Sequence, residues 1–337
     1  MNTSRKSAEL LILMMTIGSA ISFGIWMNLL NNFAIEKVSF TGAEIGILQS
    51  LREIPGFLAF TIIFVLAFIR EQKMAYIALI LLGSGTMLTG LMPTNMALYF
   101  STIIMSIGFH YFETISSSLT LQWIDKDKSA EFLGKVIASR SASSVVAFAL
   151  VWILYEQFRL DYLWIYIAGG GTCVIVAIFC WKYFSDMPEK VYQTKKIVLR
   201  KRYWLYYALQ FMSGARRQIF VVFAGFLMVE KFNFTVTEIS LLFLANALIN
   251  IPLAPKIGRL ISRIGERRAL IIEYVGLAAI FIGYAITDSA FVAVFLYIFD
   301  HLFFSLAIAL KTYFQKIADP ADIASNAGLT FTINHIA

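Results

Sequence analysis

Ten stretches of roughly 20 to 28 almost wholly apolar residues follow one another along the chain, separated by short polar joints, and an eleventh begins at Asp322. The hydrocarbon core of a bilayer is about 30 Å thick, and about 20 helical residues cross it, because a backbone without water must satisfy its own hydrogen bonds. The pattern predicts spans over residues 8–33, 43–69, 74–92, 95–123, 131–155, 161–183, 204–229, 237–262, 268–287 and 290–317. The first run follows Arg5 and Lys6, as a signal peptide would. Its apolar stretch is too long for one and another span follows closely, so it is read as a retained helix.

Composition agrees, with 59% apolar residues, 15% charged and a mean hydropathy of +0.74. A formal net charge of +7 raises the question of nucleic acid, but the basic residues sit in the joints and form no face for a phosphate backbone, so no nucleic-acid partner is expected. The charge is topological instead. Of the 28 Lys and Arg residues, 21 fall in the joints or span ends of one side, only Lys37, Arg159 and Lys231 on the other, and four, Arg52, Arg140, Arg216 and Arg217, deep within spans. Cytoplasmic loops retain positive charge, which puts the amino terminus in the cytoplasm. Cys173 and Cys180 share one apolar run without CxxC or Cys/His spacing, so they read as packing residues, and neither a metal centre nor a cofactor is expected.

The longest and most basic joint, 185–203, divides the chain into a first half, 1–184, with six spans, and a second, 204–337, with four spans and part of a fifth. An internal repeat supports this division. TGAEI at 41–45 opens the second span and TVTEI at 235–239 the eighth, an offset of 194, and the same offset carries Asp125 onto Asp319 and Gly134 onto Gly328.

After the eighth span the chain reads GRLISRIGERR over 258–268. This resembles the G-x-L-x-D-R-x-G-R-R signature of the major facilitator superfamily, whose plan also has two six-helix halves, a long basic central loop and a cytoplasmic amino terminus. The resemblance covers the whole chain. It implies twelve spans, so a sequence stopping at Ala337 reads as carboxy-terminally truncated, with roughly 60 further residues to follow. In the signature, Gly258 and Gly265 are expected to let two helices approach around a tight turn, while Arg263 and Arg267 meet headgroups and carbonyl ends, which suits a gate. Two departures weaken the analogy: the family's acidic residue is Ser262 here, and the matching joint of the first half, Arg70-Glu71-Gln72-Lys73, lacks the glycines. The family's glycine-rich exporter signature in the fifth span is absent as well, replaced by Arg140-Ser-Ala-Ser143-Ser144.

Mechanism is sought among charges within spans, since each costs about 2.5 to 3.5 kcal/mol on insertion scales. The candidates are Arg52 and Glu53, His110 and Glu113, Arg140, Arg216 and Arg217, and Asp300 and His301. Glu113, Arg140 and Arg216 lie about 15 to 18 Å from the cytoplasmic ends of their helices. His110 and Glu113 share a helical face; Asp300 and His301, as neighbours, do not. Arg52 and Glu53 precede Pro55 and Gly56, where a bend suits a gating or structural role. The resemblance puts spans one, four, seven and ten around a central cavity, bringing Glu113, Arg216 or Arg217, and Asp300 within mutual reach. Two readings stand open. In one, the arginines hold an anionic group while Glu113, Asp300 or a histidine cycles a proton; in the other, Glu113 pairs with Arg140 and Asp300 with an arginine of the seventh span.

These features together describe an all-α membrane protein, a polytopic helical bundle with two six-helix halves of the major facilitator type, the second incomplete. The expected function is secondary transport of a small, anionic or amphipathic solute by alternating access, with protons as candidate coupling ion, from a monomer in the plasma or inner membrane. The alternative is a non-transporting scaffold or receptor-like membrane protein. An enzyme is not expected, because no HExxH or GxSxG constellation appears. The charge asymmetry sets a first test: cysteines introduced at Lys195 and Arg267 should react with an impermeant thiol reagent only from the cytoplasmic side, and one at Lys231 only from outside. Reaction of the Lys195 site in intact cells would overturn the orientation.

Overall fold

A computed structural model describes residues 2–337 except 92, 189–190, 219–226, 229–230 and 235, with backbone alone for 2–5, 218, 236–237 and 240. The described residues form helices and no strand. In chain order these are α1 (Asn2–Val38), α2 (Gly42–Phe57), a 3-10 turn (Ala59–Thr61) leading into α3 (Ile62–Leu66), α4 (Glu71–Leu91), α5 (Asn95–Trp123), α6 (Ser129–Trp152) with a π turn (Ile153–Gln157), and α7 (Tyr162–Tyr183). After the central loop come α8 (Trp204–Gln218), α9 (Val236–Ile264), α10 (Glu266–Ile286), α11 (Ala290–Phe304) and, past a 3-10 turn (Ser305–Ala307), α12 (Ile308–Ile317) and α13 (Ile323–Ile336). Each expected span holds a helix or a coupled pair, although most of the expected span over 204–229 beyond Gln218 lies outside the described residues.

Among the described residues, seven helices are long and apolar enough to cross a membrane, or eight when α2 and the piece after it, bent by 40°, count as one span. Helix α5 misses this test because Ser, Thr, His110 and Glu113 dilute its apolar run. Those polar groups are mostly turned inward: Ser101, Thr102, Ser106, His110, Thr114, Ser116, Ser118 and Thr120 are all buried.

One compact unit comprises Met1–Trp123, Ser143–Leu199 and Asp319–His335. Its centre is α4, which packs on α5, α7 and α1. Glycines permit this. A Cβ at Gly83 would stand 2.5 Å from the Gly170 carbonyl, one at Gly85 would strike the Met105 backbone, and one at Gly108 the Leu82 backbone. Small residues at such crossings let helices gain dispersion contacts in lipid, where apolar burial alone gives no preference for protein over acyl chain. A ladder of hydroxyls crosses the same layer, with Ser22 donating to Thr86 and the Trp26 indole to Thr89, each at 3.2 Å, and Thr89 lying 3.2 Å from Ser101. The first residues of the central loop close over one end: the Gln72 amide donates to the Ser185 carbonyl and accepts from Met187 N, while Arg70 meets Asp186 at 3.3 Å.

The second unit comprises Ile124–Ala142, Arg200–Ala318 and Ile336–Ala337. Leu242, Leu277, Ile280, Tyr284, Ala293 and Tyr297 form an apolar cluster between α9, α10 and α11, and Tyr206 stacks on Phe314 at 4.3 Å. The start of α6 belongs here because its backbone lies against α9. A Cβ at Gly134 would strike the Ala254 carbonyl, and one at Gly258 the Ala130 carbonyl. The first unit carries the repeat-related contact: Gly328 of α13 faces the Ala59 carbonyl and the Phe60 Cα, at 3.1 and 3.3 Å from its added Cβ. The offset of 194 that relates Gly134 to Gly328 also relates Phe60 to Ala254, so the duplication read from sequence recurs as a pair of like contacts.

These approaches predict a contrast. Gly85→Val should destabilise the purified protein by about 1–3 kcal/mol or more, as overpacking does, whereas Gly46→Ala, with open space around its Cβ, should leave thermal unfolding in detergent unchanged or slightly raised. Equal melting temperatures for the two variants would contradict the packing described.

Candidate functional site

Two groups of polar side chains are buried in apolar surroundings, one in each unit. In the second unit Arg216 of α8 forms an ion pair with Glu273 of α10, their side chains only 7% and 1% exposed. The guanidinium also lies 4.8 Å from the Phe304 ring and 5.8 Å from the Tyr274 ring, so aromatic faces flank it, while its Nε has no hydrogen-bond partner among the described residues. Asp300 of α11 is 1% exposed, and its Oδ2 accepts no hydrogen bond among the described residues. Its neighbour His301 turns elsewhere: its Nδ1 lies 3.0 Å from the Asn246 side-chain nitrogen and 3.1 Å from the Tyr297 carbonyl, and a turn later Ser305 donates to Asn250 at 3.2 Å.

In the first unit the break between α2 and α3 gathers the second group. Pro55 removes a backbone donor and Gly56 a side chain, and α2 ends at Phe57. Side chains meet the backbone near the break: Phe60 N–H donates to Thr332 of α13 at 3.0 Å, and the Ser106 hydroxyl of α5 donates to the Arg52 carbonyl. Arg52 and Glu53 pair with each other at 2.5 Å, and the second oxygen of Glu53 lies 3.7 Å from Nε2 of His335. His110 is buried, with Nδ1 2.9 Å from the Ser106 carbonyl, and its ring stands edge-on to His335 with centroids 5.3 Å apart. Glu113 is half-buried one turn along α5 from His110; Arg140, half-buried on α6, is assigned to the second unit, as is the half-buried Arg217. A cavity of the first unit, lined among others by Arg70, Gln72, Gln122, Tyr192 and Lys195, includes none of the side chains of that unit's polar group.

The family model described as Major Facilitator Superfamily matches residues 11–337. The chain belongs to the major facilitator superfamily. Among solved structures, a bacterial homologue of the iron transporter ferroportin, in an outward-facing state, aligns with a TM-score of 0.76 at 14% identity over 97% of this chain and 89% of that one. The human organic anion transporter MFSD10 (TETRAN) aligns at 0.74 and 11% identity, over 98% and 91%. XylE, a proton:xylose symporter bound to 6-bromo-6-deoxy-D-glucose, aligns at 0.71 and 10% identity, over 99% and 86%. Identities this low establish the fold and no shared substrate. No curated protein sequence matches.

In this facilitator the signature loop works differently from the expectation. Gly265 has φ +83° and ψ 156°, a region open to glycine alone, but nothing lies within 4 Å of an added Cβ. It serves the backbone turn between α9 and α10. Close approach belongs to Gly258, and its neighbour is α6, not α10. Ser262, standing where the family has an acid, donates to the Gly258 carbonyl at 3.3 Å, while Arg263 and Arg267 are exposed.

Two residues escape the sequence reading. Glu273, not Asp300, holds Arg216; it lies within the predicted span over 268–287 and was detectable there as an intramembrane acid. His335 reads as the polar end of a broken span, and only packing of α13 against α2 and α5 brings it to His110. The ion pair generates a test. Arg216→Gln or Glu273→Gln alone should each cost about 3–5 kcal/mol, because the partner becomes an uncompensated buried charge. The double variant should recover most of that loss in folded yield and thermal stability, and single variants as stable as the parent would remove the pair from the structural core.

Proposed function

We propose that this facilitator is a proton-coupled secondary transporter that moves a small solute by alternating access, with Asp300 as the group that takes up and releases the proton. The observation that carries this reading is the buried carboxyl of Asp300, whose Oδ2 has no hydrogen-bond donor among the described residues, in the same unit as an arginine already engaged by Glu273. A buried carboxyl with one oxygen unbonded can change protonation as access to it alternates, a use membrane proteins make of intramembrane acids. The symporter XylE, named as proton-coupled, has the same fold, which is compatible support by analogy.

The engagement of Arg216 bears on the substrate. A substrate anion seeking that guanidinium would have to displace Glu273 and leave a buried carboxylate behind, so the pair favours a structural role for Arg216 over anion binding. A cytoplasmic amino terminus and a monomer in the plasma or inner membrane complete the proposal.

Reconstitution tests it. Proteoliposomes carrying an interior pH-sensitive dye, offered solutes in panels, should acidify or alkalinise with solute flux, and Asp300→Asn should abolish gradient-driven accumulation while keeping solute counterflow. Undiminished accumulation in Asp300→Asn would overturn the assignment of the proton to this residue. Absence of flux across broad panels would instead favour the scaffold.

A further inference from the structure

Two imidazoles from different helices meet over a glycine in the first unit. A Cβ at Gly56 would stand 2.6 Å from Nε2 of His335 and 2.8 Å from Nε2 of His110, so the missing side chain is what lets both nitrogens converge. Each ring is oriented by its other nitrogen. Nδ1 of His110 lies 2.9 Å from the Ser106 carbonyl and Nδ1 of His335 lies 2.9 Å from the Phe331 carbonyl, in both cases four residues earlier on the same helix. A carbonyl cannot donate, so Nδ1 carries the hydrogen in each ring and Nε2 carries the lone pair. This is the tautomer and the backbone support that metal-ligating histidines have. Phe331 stacks on His335 at 4.7 Å and meets His110 edge-on at 5.8 Å, which fixes both planes. Glu53 adds an oxygen: the ligand atoms of Glu53, His110 and His335 all lie within 4.8 Å of one another.

We propose that Glu53, His110 and His335 form a binding site for a first-row divalent transition-metal ion. Two imidazole nitrogens and one carboxylate suit Fe²⁺, Co²⁺ or Zn²⁺ and disfavour Mg²⁺ and Ca²⁺, which take oxygen ligands. Bonds of about 2.0–2.1 Å in a tetrahedron give ligand separations of about 3.3 Å. The observed 3.7 Å between Glu53 and His335 is near that value, and the other separations, within 4.8 Å, close by side-chain movement on the order of 1 Å. Three protein ligands leave positions for water, the arrangement of an exchangeable ion rather than a structural one. The Glu53 side chain is 42% exposed, so this ligand is not sealed within the protein. Arg52 tempers the site. Its guanidinium holds the first oxygen of Glu53 at 2.5 Å, aims the second toward His335, and places a positive charge beside the incoming cation.

The test measures binding alone and is independent of flux, so it stands whether or not proton-coupled transport is correct. The full chain in lipid nanodiscs is titrated with Co²⁺, followed by its visible absorption, and with Zn²⁺ against a chelating fluorophore. One ion per chain should bind, and excess Mg²⁺ should not compete. His110→Ala and His335→Ala should each weaken binding by more than about 100-fold, exceeding the loss usual for an outer-shell partner. Arg52→Gln should tighten it by about tenfold, through loss of a positive charge beside a ligand carboxylate. That gain separates the proposal from misfolding, because a damaged protein does not bind more tightly. No saturable Co²⁺ binding, Co²⁺ affinity unchanged by His335→Ala, or weaker binding in Arg52→Gln would each overturn it.

Discussion

Hydrocarbon offers a peptide group nothing to bond to, and every other feature of this chain is an answer to that condition. Unbroken helices satisfy their own donors and acceptors, which accounts for most of the chain. Where a helix breaks, another helix can supply partners. At the α2–α3 break the Phe60 N–H donates to Thr332 and the Arg52 carbonyl accepts from Ser106, so α13 and α5 meet α2 at the same place. The polar gathering around Gly56 lies where these helices meet.

The absence of a solvent-driven preference for protein over lipid puts the burden of helix association on close fit. Glycine-mediated backbone contact between α4 and its neighbours α5 and α7 supplies it in the first unit, and Gly134 and Gly258 supply it between α6 and α9 in the second. Duplication makes the second case recur, since Gly328 faces Ala59 and Phe60 as Gly134 faces Ala254. Each compact unit thereby includes a helix segment from the other half of the sequence, which is why its boundaries cut across the repeat instead of following the central loop.

Buried charge obeys the same economy of partners. Arg216 has Glu273 and two aromatic faces; Arg52 has Glu53. Asp300 differs in having one oxygen with no donor among the described residues, and His110 and His335 differ in bringing their Nε2 atoms together over Gly56. The paired charges hold helices together. A buried carboxyl with an unbonded oxygen and two converging imidazoles are groups able to exchange a proton or a ligand.

The all-helical membrane bundle and the family plan were legible in the residues alone, because twenty-residue apolar runs and a repeated TxxEI signal are one-dimensional properties. The candidate charges were legible for the same reason, since a charge inside an apolar run is conspicuous. Their partners were not. Arg216 could be paired with Asp300 or Glu273 by sequence distance equally well, and Gly258 could face α10 or α6; which neighbour each meets depends on helix rotation and crossing, and these are set by packing over the whole interface. His335, more than 220 positions from His110, has no local signal of their meeting. Only the tertiary structure decided that contact, because the interactions that bring α13 to α2 and α5 are backbone approaches and single hydrogen bonds that leave no period in the sequence.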